Sequence, residues 1–104
     1  MIARLTRLFK KPRAPGLRHA SLQDMQTIRS ALLQCVTDCD GMRAVRLRHQ
    51  IESAKSAQEL WLLRNDAYQL VSQRHTQAVA AERINALIHC FEGILDARQL
   101  VRIR

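Results

Sequence analysis

Over most of the chain, apolar positions recur every three or four residues, which is the spacing of one face of an α-helix. The seam of the first predicted helix consists of Leu22, Met25, Ile28, Leu32, Val36 and Cys39. Ser21 and Asp24 before it have the spacing of a capping box, which satisfies free amide groups at a helix start. Asp40-Gly41 ends the pattern, because glycine readily takes the left-handed conformation that closes a helix.

The same spacing predicts three further helices separated by short joints. They extend over residues 42–54, 57–73 and 77–92. Ser56 and Glu59 form a second capping box before the third helix. The fourth helix either ends at Gly93 or continues to about Gln99, and the pattern leaves both alternatives open. Because four amphipathic helices with short joints must bury their apolar faces together, we expect an all-α fold, a compact bundle of four main helices.

A short amphipathic helix is also predicted at the N-terminus, over residues 1–11. Its apolar side holds Ile2, Leu5, Leu8 and Phe9, and its basic side holds Arg4, Arg7, Lys10 and Lys11. Pro12, Pro15 and Gly16 then interrupt the pattern. The expected organisation is a basic N-terminal helix and linker over residues 1–20, a helical bundle over residues 21–97 and a basic C-terminal tail over residues 98–104.

The positive charge lies at the two ends of the chain. Of the net charge of +8, residues 1–20 supply six basic and no acidic side chains, and residues 98–104 supply three arginines. The stretch between them is therefore left near neutral. Basic ends can bind phosphates with a strong dependence on salt, so nucleic acid is one alternative partner. The candidate anion contacts are Arg4, Arg7, Lys10, Lys11, Arg43, Arg46 and Arg48.

Two observations weigh against a nucleic-acid-binding domain of a common type. The sequence has no helix-turn-helix, RRM or zinc-finger pattern, and its few aromatic residues make a base-stacking platform improbable. A membrane surface is a poorer alternative, because an eleven-residue amphipathic segment is a weak anchor that can equally dock on the bundle. With no apolar run of ~18–20 residues and no signal-peptide pattern, we expect a cytoplasmic protein.

The cysteines and histidines form no pattern typical of a metal or catalytic site. Cys35 and Cys39 lie one helical turn apart, whereas His89 and Cys90 are adjacent, so the second pair diverges around its helix. We interpret the cysteines as small, reduced core residues. Motifs for nucleophilic, metal-dependent or paired-carboxylate catalysis are absent from the sequence. We therefore expect no metal, no cofactor, no small-molecule substrate and no catalytic residues.

The third predicted helix begins with Leu60-Trp61-Leu62-Leu63, which is apolar on every side of one turn. Leu60 and Leu63 match the core phase, so Trp61 and Leu62 are free to meet another surface. The candidate interaction surface consists of Trp61, Leu62, Arg64 and Tyr68. The alternative is a packing rim in which Arg64 makes a cation–π contact. We expect a non-enzymatic protein–protein interaction or regulatory module that binds another protein or a second copy of itself.

Two segments of the sequence resemble a group of small uncharacterised all-helical proteins of betaproteobacteria. Residues 60–68 contain Leu-Trp-x-Leu-Arg-x-Asp, and residues 78–83 contain Ala-Val-Ala-x-Glu-Arg. The resemblance covers residues 56–95 and implies a bacterial source but no activity and no site. It implies that the third and fourth helices form a recurring unit in which Trp61, Arg64 and Asp66 orient the pair.

Overall fold

The computed structural model describes residues 17–103 of the chain. They form α1 (Leu22–Cys35), α2 (Met42–Ser53), α3 (Ala57–Arg74), α4 (Gln77–Ala86) and the single turn α5 (Ile88–Phe91). This arrangement confirms the predicted all-α fold with four main helices. None of the five has both the length and the apolar character needed to cross a bilayer. The helix predicted over residues 1–11 lies outside the described residues.

The core is organised around α3, which packs against α1, α2 and α4. The largest fully buried side chains are Trp61, Phe91, Ile28, Leu32, Ile51, Leu60, Ile84, Val36 and Val71. The rings of Trp61 and Phe91 meet edge to face, with their centroids 5.0 Å apart. This geometry suits the charge distribution of two aromatic rings and fixes the start of α3 against α5.

Side-chain caps define where three of the helices begin. Ser21 accepts a hydrogen bond from the Asp24 amide at 3.0 Å, and the Asp24 carboxylate accepts one from the Ser21 amide at 2.9 Å. Ser56 accepts from the Glu59 amide at 3.1 Å, but the Glu59 carboxylate accepts from the Lys55 amide, so the capping box predicted there forms only on the Ser56 side. Thr76 caps α4 in the same way. The spacing of these residues in the sequence therefore predicted correctly where the three helices begin.

The first helix ends earlier than its apolar pattern predicts. α1 stops at Cys35, and a turn carries the chain onward while Val36 and Cys39 remain buried. Both of their carbonyl groups accept hydrogen bonds from Arg48 of α2, so they do not need helical partners. Gly41 has a positive φ of +92°, but its ψ of 176° is not the left-handed helical conformation expected at a helix end, and it is the N-cap of α2.

The fourth predicted helix is divided into α4 and α5. The Leu87 amide donates to the Ile84 carbonyl at 3.0 Å, a tighter turn than the α-helix makes, and α5 starts directly after it. The side chain of Asn85, buried at this break, donates to the Ile103 carbonyl at 2.8 Å and accepts from the Ile103 amide at 2.7 Å. The segment predicted as a basic tail is thus tied to the bundle as far as residue 103, and Leu100 packs partly against the core.

Candidate interaction surface

A groove runs between α2 and α3 and is apolar at one end. The apolar end has a volume of about 370 Å³. It is lined by Gln50, Ser53, Ala54, Glu59, Leu62 and Leu63. Leu62 is 55% exposed, whereas Leu63 is half-buried. An exposed leucine beside a partly covered one offers apolar surface to a second element.

The groove continues along the same two helices to a polar end. The polar end is lined by Arg43, Arg46, Leu47, Gln50, Asp66 and Leu70. Because Gln50 lines both parts, we treat them as one α2–α3 groove. From Arg43 to Ser53 it follows about ten residues of α2, or ~15 Å of helix. Its two ends differ in chemistry, since leucines dominate one and charged side chains the other.

The rotation of α3 differs from the predicted phase by one position. Leu60 and Trp61 are buried, with exposures of 0% and 2%, while Leu63 is only half-buried. Trp61 therefore belongs to the core and not to the exposed surface proposed for it. Its large ring fills the space next to Phe91, which turns Leu63 toward the edge of the helix and leaves Leu62 outside.

Arg64 and Tyr68 also turn toward the bundle. The Arg64 guanidinium lies 3.8 Å from the centroid of the Trp61 ring and donates to the Trp61 carbonyl at 2.8 Å. Burial lowers the pKa of Arg64. Tyr68 is half-buried against the core. The structure thus shows the cation–π alternative for Arg64, and Leu62 is the exposed member of the four predicted surface residues.

The three predicted anion contacts that the structure describes do not share one exposed patch. Arg43 and Arg46 are exposed at the polar end of the groove. Arg48 is half-buried and donates to the Val36 and Cys39 carbonyls at 2.9 and 2.5 Å. Arg4, Arg7, Lys10 and Lys11 lie outside the described residues. Arg48 therefore serves the fold, and two exposed arginines remain on α2.

A polar cluster that the sequence analysis did not anticipate joins α1 to the α3–α4 junction. Asp38 receives two hydrogen bonds from Arg83, at 2.9 and 3.1 Å, and its Oδ2 lies 2.7 Å from His75 Nε2. Arg83 and, after it, His75 hold the pKa of the Asp38 carboxyl well below its usual range. These residues are 8 to 45 positions apart in the chain, so no local spacing signals the cluster.

The surroundings of this cluster favour a structural role over catalysis. The nearby Cys35 thiol contacts the Arg83 carbonyl at 3.6 Å, and burial raises the pKa of Cys35 to about 11. Burial likewise raises the pKa of Cys39. Both thiols therefore stay protonated at neutral pH and are poor nucleophiles. Within residues 17–103 there is no group of three His, Cys, Asp or Glu side chains placed to hold a metal ion.

A second concavity, of about 510 Å³, lies on the other side of the first turn of α3. It is lined by Leu17, His19, Ala20, Met25, Lys55, Ser56, Ala57, Gln58, Ile94, Leu95, Asp96 and Gln99. The Arg18 amide donates to the Gly93 carbonyl at 2.8 Å and holds the start of the described chain at this cavity. The described chain therefore begins at this cavity.

Comparison of the chain with models of protein families gave no match, and comparisons with curated proteins and with solved structures found no relative. The resemblance of residues 56–95 to the betaproteobacterial proteins stays a prediction.

Proposed function

We propose that this chain is a non-enzymatic protein-interaction module that holds an amphipathic helix of another protein in its α2–α3 groove. The observation that carries the proposal is the exposed Leu62 beside the half-buried Leu63 at the apolar end. Amphipathic helices bind such grooves through apolar side chains spaced three or four residues apart. The small apolar area favours a transient contact over a permanent one.

The charged residues at the polar end of the groove would fix where along the groove such a helix binds. Asp66 lies on α3 one turn beyond Leu62, and Arg46 faces the groove from α2. A bound helix that places apolar residues against Leu62 meets these charges about one turn further along. Charge pairs at this end would select the partner and its direction, while the leucines would supply most of the affinity.

Nucleic acid is the second candidate, favoured by the exposure of Arg43 and Arg46. Two arginines on one helix are a small footprint for phosphate binding. The two proposals differ in their response to salt. Binding through basic side chains collapses as salt rises, whereas apolar docking does not.

The test compares the full chain with two variants of matched exposure. Leu62→Glu places a charge in the apolar end, and Val45→Glu places one on α2 outside the groove, at a residue 59% exposed. Each protein is used to capture partners from its native host at low and high salt. Captured proteins are then purified, and their affinity for all three chains is measured by calorimetry.

We expect Leu62→Glu to lower the affinity for a captured partner about tenfold or more, and Val45→Glu to leave that affinity unchanged. The affinity of the natural chain should change little at high salt. Equal affinity for all three chains contradicts the proposal. Capture of nuclease-sensitive material that is lost in high salt favours the nucleic-acid alternative. Circular dichroism of both variants verifies that each remains folded.

A further inference from the structure

The apolar end of the groove lies beside the point where the described chain begins. Leu17 lines the cavity on one side of the first turn of α3, together with Gln58. The next residue, Glu59, lines the groove on the other side of the same turn. The described chain therefore begins at a cavity that shares the first turn of α3 with the apolar end of the groove.

Residues 1–11 carry the side chains that such a groove accepts. Ile2, Leu5, Leu8 and Phe9 recur at helical spacing. Residues 12–16 connect this segment to Leu17, and five residues span at most about 17 Å when extended. An α-helix with its side chains is about 10–12 Å across, so the connection is long enough.

Charge favours the same placement. Residues 1–11 contain four basic and no acidic side chains, and Lys10-Lys11 stand next to the connection. The exposed carboxylate at the apolar end is Glu59, which also accepts a hydrogen bond from the Lys55 amide at 2.5 Å. Arg43 and Arg46 lie at the far end and would repel a basic segment. Leu8 and Phe9, which precede the lysines, then match the apolar end.

The size of the apolar patch favours a tethered occupant over a second copy of the chain. A stable dimer buries about 800 Å² on each partner, far more than two leucines and an alanine present. A short tether gives an effective concentration in the millimolar range. At ~1 mM, a site with a Kd of ~0.1 mM is about nine-tenths occupied.

We infer that residues 1–11 occupy the apolar end of the α2–α3 groove of their own chain, with Leu8 and Phe9 covering Leu62 and Leu63. A partner helix then competes with this segment for the same surface. The inference rests on the proposed function, because it takes the groove as the binding surface.

The test uses the full chain with the photo-crosslinking residue p-benzoylphenylalanine in place of Leu62. A matched chain carries it at Val45, which is 59% exposed and lies outside the groove. After irradiation, the monomer is digested and its crosslinked peptides are identified by mass spectrometry. We expect a crosslink to residues 1–11 from position 62 only, with a yield independent of protein concentration. Phe9→Glu should lower this yield about tenfold, which from nine-tenths occupancy requires a Kd about 100-fold weaker, or ~2.7 kcal/mol.

Crosslinks between copies of the chain, or crosslinks from position 62 that avoid residues 1–11, overturn the inference. The proposed function fails separately, since it is contradicted only when captured partners bind regardless of Leu62→Glu. If both proposals hold, Phe9→Glu raises the affinity for a captured partner about tenfold. An unchanged partner affinity in that variant contradicts this competition.

Discussion

At the residue scale, arginines close the C-terminal ends of helices to which they do not belong. Neither α1 nor α2 has a basic residue in its own last turn. Arg29 of α1 donates to the carbonyls of Ile51 and Ala54 at the end of α2, at 3.1 and 2.7 Å. Arg48 of α2 donates in turn to the Val36 and Cys39 carbonyls that follow α1. A planar guanidinium suits this task because it can reach two carbonyl groups at once.

Replacing Arg48 tests this role. Arg48→Ala removes one hydrogen bond from each of two buried carbonyls, and the Val36 carbonyl keeps only its bond from the Cys39 amide, so we expect the free energy of unfolding to fall by about 1–3 kcal/mol. Arg48→Lys should recover only part of the loss, since an ammonium lacks the forked geometry. Urea unfolding measures both values. Arg46→Ala, an exposed neighbour on α2, is the control, and a loss as large as that of Arg48→Ala would contradict the assignment.

The Asp38 cluster predicts a dependence of stability on acid. The pKa of Asp38 is held below its unfolded value of about 3.9, so its ion pair stabilises the protein fully above that pH. As pH falls through ~4 and lower, this contribution is lost. Asp38→Asn should therefore be less stable than the natural chain at pH 7, and the difference should shrink by pH 3.5.

Urea unfolding at pH 7, 5 and 3.5 measures that difference. Asp40→Asn is the control, because Asp40 is exposed and makes no ion pair within the described part of the chain. A difference between Asp38→Asn and the natural chain that stays constant across this range would show that the carboxylate charge is not what stabilises the junction.

Residue roles were predictable where they depend on neighbours in sequence. The caps at Ser21 and Ser56 follow from a spacing of three residues. The Arg29 and Arg48 contacts join residues 9 to 25 positions apart, so sequence reasoning assigned Arg48 to solvent and to anions. Which groups a long side chain contacts depends on how the helices pack, and local sequence spacing does not contain that information.

At the element scale, α3 shows how far periodicity can be taken. Its existence and its limits were predicted to within a residue, and Leu62 was placed outside correctly. The burial of Trp61 in place of Leu63 was not predicted. A run of four apolar residues is compatible with several rotations of a helix, and the ring of Phe91, thirty residues further on, selects one of them.

This rotation predicts an order of stabilities for three leucines. Leu60→Ala removes a fully buried side chain and should cost about 2–5 kcal/mol. Leu62→Ala should cost less than about 1.4 kcal/mol, the free energy of docking a segment at nine-tenths occupancy, and Leu63→Ala should fall between them. Thermal and urea unfolding of the three variants measure the order. Equal losses at Leu62 and Leu60 would show that the assigned rotation of α3 is wrong.

At the scale of the whole molecule, the described residues form a hydrophobic core among themselves. Its buried members run from Ile28 to Ile94. The pattern of apolar positions was enough to predict the bundle fold, since four amphipathic helices with short joints have few ways to bury their apolar faces. The position of residues 98–103 was not predictable, because it depends on Asn85, a polar residue at a break that the apolar pattern does not mark.

Deleting residues 1–16 should therefore leave a cooperative fold. The Arg18 contacts with Asp24 and Gly93 are retained, so we expect helical circular dichroism close to that of the full chain and a shift of a few degrees in Tm. Deleting residues 1–20 also removes these contacts and should cost more. Loss of cooperative unfolding on the shorter deletion would place Leu5, Leu8 or Phe9 in the core.

The arginine caps also determine how the protein meets a chemical reagent. Dicarbonyl compounds modify guanidinium groups that are open to solvent. Arg43 and Arg46 are exposed and should react first, whereas Arg29 and Arg48 are half-buried on backbone carbonyls and should react only as the helices separate. The labelling pattern of these four side chains would then serve as a footprint of the folded state, readable in mixtures where spectroscopy is not.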